Sequence, residues 1–230
     1  MPSYRKKHRG GGRKLTSYNT ILAEAEDEFV EKRSRFICAI APVQSAEQAL
    51  AFIAHRKELH YDARHTVYAY ILREGNAQRY SDDGEPQGTG GQPALEVLRR
   101  SNLTDVCVAV TRYFGGILLG AGGLTRAYSN GAALAVASAR QVTMCPCADC
   151  RLVMDYGQYG IVNRLLPEHG AQLLESDFGE RVMLTIRLRL EAVAPFKKAL
   201  TEATSATVNL ERVGEVFSAM ALLSDTPPNA

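Results

Sequence analysis

The sequence predicts an α+β chain of two unlike halves, and three patterns carry that expectation. Runs rich in β-branched and aromatic residues alternate with helical periods up to about residue 144. From residue 149 the order becomes strand, helix, hairpin, helix, strand, the βαββαβ arrangement of a ferredoxin-like domain. Within the first of these patterns, residues 82–128 hold an unusual density of glycine around short apolar runs. Loops of that kind carry function more often than cores do.

Composition sets limits. The 230 residues are 46% hydrophobic and 23% charged, ordinary for a globular protein long enough to bury a sizeable core. No apolar run approaches the roughly 20 residues a membrane helix needs. The basic start lacks the apolar stretch of a signal peptide, which points to the cytoplasm. The net charge of +2 hides an asymmetry: residues 1–23 hold six of the 27 basic residues and no acid, leaving 21 basic against 25 acidic. An acidic body thus follows a basic tail, residues 1–16, read as a solvated, disordered leader in preference to an arm that attracts polyanions. Cys38 and Cys107 lie in apolar runs and read as small core residues. Cys145, Cys147 and Cys150 include one CxxC spacing, but no second ligand pair completes a zinc site. No metal and no cofactor is expected. Near a domain junction these three thiols are expected to be exposed and open to oxidation.

The elements follow in order. Residues 17–43 suggest two or three strands, the last (FICAIA) apolar enough for burial on both faces. Ser45 with Gln48 three residues on forms a capping box. The helix it opens is expected to bury Ala46, Ala49, Leu50, Ile53 and Lys57 as one stripe. His60 to His65 is a polar joint, HTVYAYIL a strand, and Glu74-Gly75-Asn76 a turn before a short strand into Tyr80. A helix follows from Pro93 to Arg100, with proline in its first turn. Thr104–Arg112 reads as a central strand. A helix from Gly123 to about Ala139 carries Leu124, Ala127, Tyr128, Gly131, Leu134 and Ala135 on one small-residue face. These elements form a layer of strands with helices on its other side. The domain is bounded at 17–144, with a break at Met144–Asp149 where proline and the cysteines interrupt. In the second domain, 149–220, a helix ends at Gly170. A hairpin turns at Gly179, and Leu184, Ile186, Leu188 and Leu190 alternate with Met183, Thr185, Arg187 and Arg189. A frayed tail, 221–230, closes the chain.

Two glycine motifs carry a resemblance. DDGEPQGTGGQP, from Asp82 to Pro93, and VTRYFGGILLGAGGLTRAY, from Val110 to Tyr128, occur in order. Together they resemble the signature of the IMPACT family, found in bacteria as short two-domain proteins. The resemblance implies, for the first domain, the fold of the second domain of ribosomal small-subunit protein five. For the second it implies likeness to the last domain of elongation factor G. It also marks His60, His65, Asp82, Asp83, Gly84, Glu85, Pro86 and Thr89 as motif residues without an assigned role. Eukaryotic members restrain a kinase of an initiation factor through an additional N-terminal domain, so that role does not transfer whole.

The residues suggest their own chemistry. Gly115, Gly116, Gly122 and Gly123 form a glycine-rich loop opening a helix, and Arg112 and Arg126 add charge, a plausible phosphate or nucleic-acid site. It matches neither a Walker loop nor GxGxxG, and the same glycines can serve only close helix packing. Asp82, Asp83 and Glu85 can ligate metal or transfer protons, but capping of turn N–H groups, or pairing with Arg112 and Arg126, is the favoured reading. No nucleophile elbow and no HExxH motif is present, so no catalytic residue is assigned. No RNP-type aromatic motif is present either, so base stacking is not indicated by motif. The expected function is that of a non-enzymatic, translation-associated regulator binding RNA, the ribosome or a translation factor. The alternative is an enzyme or sensor for a small phosphorylated metabolite held by the loop 115–123.

Overall fold

The computed structural model describes residues 16–219, so the expectations for the basic leader and the C-terminal tail lie outside the described residues. The chain divides into two compact units, Tyr18–Thr143 and the residues from Met144 on.

The first unit begins with β1 (Tyr18–Ile21) and is built on an antiparallel sheet. Its strands are β2 (Ala25–Glu31), β3 (Ser34–Pro42), β4 (His65–Ile71), β5 (Gln78–Ser81) and β6 (Val106–Tyr113), in the order β2-β3-β6-β4-β5. β6 is central, pairing Arg112 with Phe36 on one side and with His65 on the other. Side chains alternate across a strand, and both faces are apolar. Phe36, Cys38, Ile40, Val67, Val108 and Val110 face a core shared with α2 (Gly91–Arg100) and α3 (Ala121–Ser138). Ala39, Ala41, Tyr70, Cys107 and Ala109 face α1 (Ala46–Leu59). Helices therefore cover both faces of the sheet, where one covered face was expected.

Local differences have local causes. Gln48 N–H donates to Ser45 Oγ as expected, but the Gln48 side chain reaches Gln44 N–H, one residue short of a full box. The buried stripe of α1 is Ala49, Phe52, Ile53 and Arg56, with Leu50 left 54% exposed. A buried arginine hid this face, because it breaks the apolar period. In α3, Ala132 and Val136 are buried and Leu134 only partly. At Gly131 an added Cβ would meet Cys38 Sγ at 3.0 Å, so helix and sheet approach as closely as a glycine permits.

In the second unit, β7 (Gln141–Met154), β8 (Gln172–Phe178), β9 (Val182–Arg189) and β10 (Leu210–Ser218) pair in the order β10-β7-β9-β8. With α4 (Tyr156–Glu168) and α5 (Leu190–Ala203) this is the ferredoxin-like arrangement. No loop marks the boundary expected near Met144–Asp149: β7 runs through these residues as unbroken strand. Pro146 fits because β9 pairing begins only at Cys147, so its missing N–H removes no rung on that side. Asp155 and Gln158 form a capping box at α4, whose last carbonyls are met by Gly170 N–H and Ala171 N–H. The expectation of exposed thiols is overturned: all five cysteines are buried. No helix among the described residues is long and apolar enough to cross a membrane.

Candidate functional site

The motif residues converge at one end of the first unit's sheet. There β6 finishes at Arg112 and Tyr113, while β3 and β4 begin at Ser34 and His65. Arg112 Nη1 donates to Glu85 Oε1 at 2.8 Å, with the two side chains only 7% and 4% exposed. Tyr128 Oη–H, from α3, donates to the same oxygen at 2.8 Å. The guanidinium also lies 5.6 Å from the Phe36 ring centroid and 5.4 Å from that of Phe114. Arg112 is thus committed to an internal ion pair rather than displayed on the surface. Burial, then the Glu85 charge, pushes the Tyr128 hydroxyl far above the usual tyrosine range, so it stays a donor.

The acidic turn is organised by backbone amides. Asp82 accepts from Gly88, Gly90 and Gly91 N–H at 2.8, 2.9 and 2.8 Å, so the carboxylate meets the N-terminus of α2. Burial pushes its pKa up, but the three amides outweigh that and hold it below the ordinary range. Asp83, at φ +45°, accepts from Thr66 N–H and pairs with Lys57. The Asp83 carbonyl accepts from His65 Nδ1 at 2.8 Å, and a Cβ on Gly84 would sit 3.3 Å from that nitrogen. The Pro86 carbonyl accepts from both N–H and Oγ1 of Thr89.

On the opposite face, His60 bridges Arg56, which lies outside both motifs, and Tyr113 of the second. Arg56 Nη2 donates to His60 Nε2 at 3.1 Å, which places the proton on Nδ1, facing Tyr113 Oη at 3.1 Å. Tyr113 in turn donates to Asp62 Oδ1 at 2.9 Å. Burial first, then the Arg56 cation, lowers the His60 pKa. Arg56 is itself buried and pairs with Glu26.

The second glycine series holds one chain segment against another. A Cβ on Gly115 would fall 2.0 Å from the Arg33 carbonyl carbon. Only glycine lets these backbones touch. Lys32 and Arg33 form the two-residue turn between β2 and β3, with φ of +45° and +65°, a type I′ geometry without asparagine or glycine. Gly116 has φ +83°. Because α3 starts at Ala121, Gly122 and Gly123 belong to its first turn rather than to a preceding loop, and Arg126 stands in the second. Arg126 is exposed and, with Lys32, Glu31, Phe29, Leu119 and Gly123, lines a cavity of about 280 Å³. The structure therefore separates Arg112 from Arg126: one is buried with Glu85, the other is at the surface. No spacing in the sequence pointed to Ser34, whose Oγ accepts from Gly115 N–H and from Arg112, or to the Lys32-Arg33 turn. No group of three His, Cys, Asp or Glu among the described residues is placed to hold a metal ion.

The comparisons with known proteins place this geometry. Residues 32–136 match the Impact N-terminal domain, a span that contains every motif residue above. The IMPACT family member YvyE of Bacillus subtilis is 37% identical over 192 residues, 83% of this chain and 88% of that protein. The chain belongs to the IMPACT family. The IMPACT family member YigZ of Escherichia coli is 33% identical over 187 residues, 80% of this chain and 92% of that one. Mouse Protein IMPACT is 35% identical over 95 residues, 39% of this chain and 30% of that protein. A crystal structure of a hypothetical protein superposes with a TM-score of 0.57 at 31% identity, covering 87% of this chain and 98% of the other. In this IMPACT-family chain, residues 152–207 match a domain of unknown function, DUF1949.

Proposed function

We propose that this IMPACT-family protein is a non-enzymatic regulator of translation that binds RNA, the ribosome or a translation factor. The observation that carries the reading is the division of charge in the first unit. The motif acids are drawn inward, Asp82 onto three amides and Glu85 onto Arg112 and Tyr128. Lys32, Arg33 and Arg126 are exposed and make no ion pair among the described residues. Acids used as internal braces beside free surface cations suit recognition of a polyanion better than proton transfer. The translational setting comes from the family resemblance and from the likeness of both folds to ribosomal and elongation-factor domains, which is analogy.

Sedimentation with ribosomes and polysomes at low and moderate salt tests this reading, with a version lacking residues 1–16 alongside. Salt-sensitive co-migration that survives the deletion is expected. Absence of co-migration at either salt rejects the translational reading, and a ligand-induced thermal shift with a small phosphorylated metabolite would replace it.

A further inference from the structure

The cations do not stand alone: an exposed aromatic ring adjoins them. Phe114 follows the end of β6 and is 48% exposed. One side of its ring is held by Arg112, whose guanidinium is fixed in turn by Glu85. That cation–π contact favours the orientation in which the other side of the ring faces outward. The next residue, Gly115, lies against the Arg33 backbone, so the ring and the Lys32-Arg33 turn share one edge of the unit. Ile117 and Leu118, 40% and 81% exposed, continue the loop. Lys32, Leu119 and Arg126 then meet around the cavity.

We propose that this edge is a binding site for single-stranded RNA, with an unpaired base stacked on Phe114 and flanking phosphates held by Lys32, Arg33 and Arg126. The inference deepens the translational reading and rests on it. Exposed rings within a cationic groove are how single strands are bound without a sequence code, because every base offers a π-face. A duplex keeps its bases stacked and paired and offers none to the ring. Three unpaired cations favour a phosphate backbone over an apolar partner. Glu31 also lines the cavity and offsets part of the cationic field.

The chain contains no tryptophan, so Phe114→Trp places a unique fluorophore on the edge. The test titrates the full chain with an end-labelled unstructured RNA of about 16 nucleotides, read by anisotropy, and follows Phe114→Trp fluorescence with the unlabelled strand. Expected are quenching by the single strand, weaker binding of the corresponding duplex, and an affinity loss of about 5- to 100-fold in Phe114→Leu. With three phosphates engaged, log K falls against log salt with a slope of about −2, shallower in Lys32→Glu and Arg126→Glu. Wild-type affinity in Phe114→Leu, or no quenching despite binding, overturns the stacking site while leaving the functional reading standing. So does absence of RNA binding in a protein that still sediments with ribosomes. Binding to anionic lipid vesicles but not to RNA, lost on Leu118→Ser, overturns it in favour of a membrane surface. Absence of both RNA binding and ribosome sedimentation rejects the inference and the reading together.

Discussion

Arg112 and Glu85, 27 residues apart, form a buried ion pair at 2.8 Å that joins the central strand to the first glycine motif. Tyr128 closes the arrangement from α3, so one carboxylate oxygen ties three segments together. Desolvation makes such a pair costly to form and more costly to break. Glu85→Gln is expected to lose about 3 kcal/mol by leaving the guanidinium without a counter-charge. Glu85→Gln with Arg112→Met should lose less than the sum of the single changes, by about 1–3 kcal/mol. Urea midpoints with unchanged slopes measure both.

Gly115→Ala tests the contact between the second glycine motif and the Lys32-Arg33 turn. With 2.0 Å between the new Cβ and the Arg33 carbonyl carbon, either the turn or the strand end must shift. A stability loss of about 1–3 kcal/mol is expected by thermal or urea unfolding. Alanine at Gly157, with nothing within 4 Å of its Cβ and no positive φ, is the comparison and should be close to neutral.

Asp82 sets an acid limb. Its folded pKa is depressed by three amide donors that outweigh burial. Its stabilisation is therefore complete above the unfolded value of about 3.9 and is lost as pH falls through the lower folded value. Asp82→Asn should be less stable than the wild type at neutral pH, and the gap should narrow below about pH 4. Denaturant midpoints across that range give the answer.

His60 acts at higher pH with the same sign. Burial and then Arg56 lower its pKa, so the fold favours the neutral ring that accepts from Arg56. Its contribution is present above the unfolded value of about 6.5 and declines as pH falls through the folded one. The ring's proton resonances should titrate below the usual histidine range. In Tyr113→Phe the hydroxyl that links His60 to Asp62 is gone, and that titration should move.

The cysteines give a simple test of burial. All five are buried, and desolvation pushes the Cys38 thiol up to about 12 and Cys107 higher still. Native protein should react slowly with a thiol reagent, and five thiols should appear on denaturation. Fast labelling of Cys145 or Cys147 in native protein would show that β7 opens readily.

The amino-acid sequence by itself determined the order of elements, the hairpin and capping signals of the second unit, and the two glycine motifs. Each of these rests on periodicity or turn chemistry read within a dozen residues. Tertiary structure alone decided which charges are internal. Arg112 and Arg126 look alike in sequence, yet one lies at the end of a central strand between Phe36 and Phe114 and the other on the outer side of α3. The burial of Arg56 and of the three late cysteines was hidden for the same reason. Whether a polar side chain is solvated or paired depends on which strands become neighbours. That is fixed by the strand orders β2-β3-β6-β4-β5 and β10-β7-β9-β8, which no local period encodes.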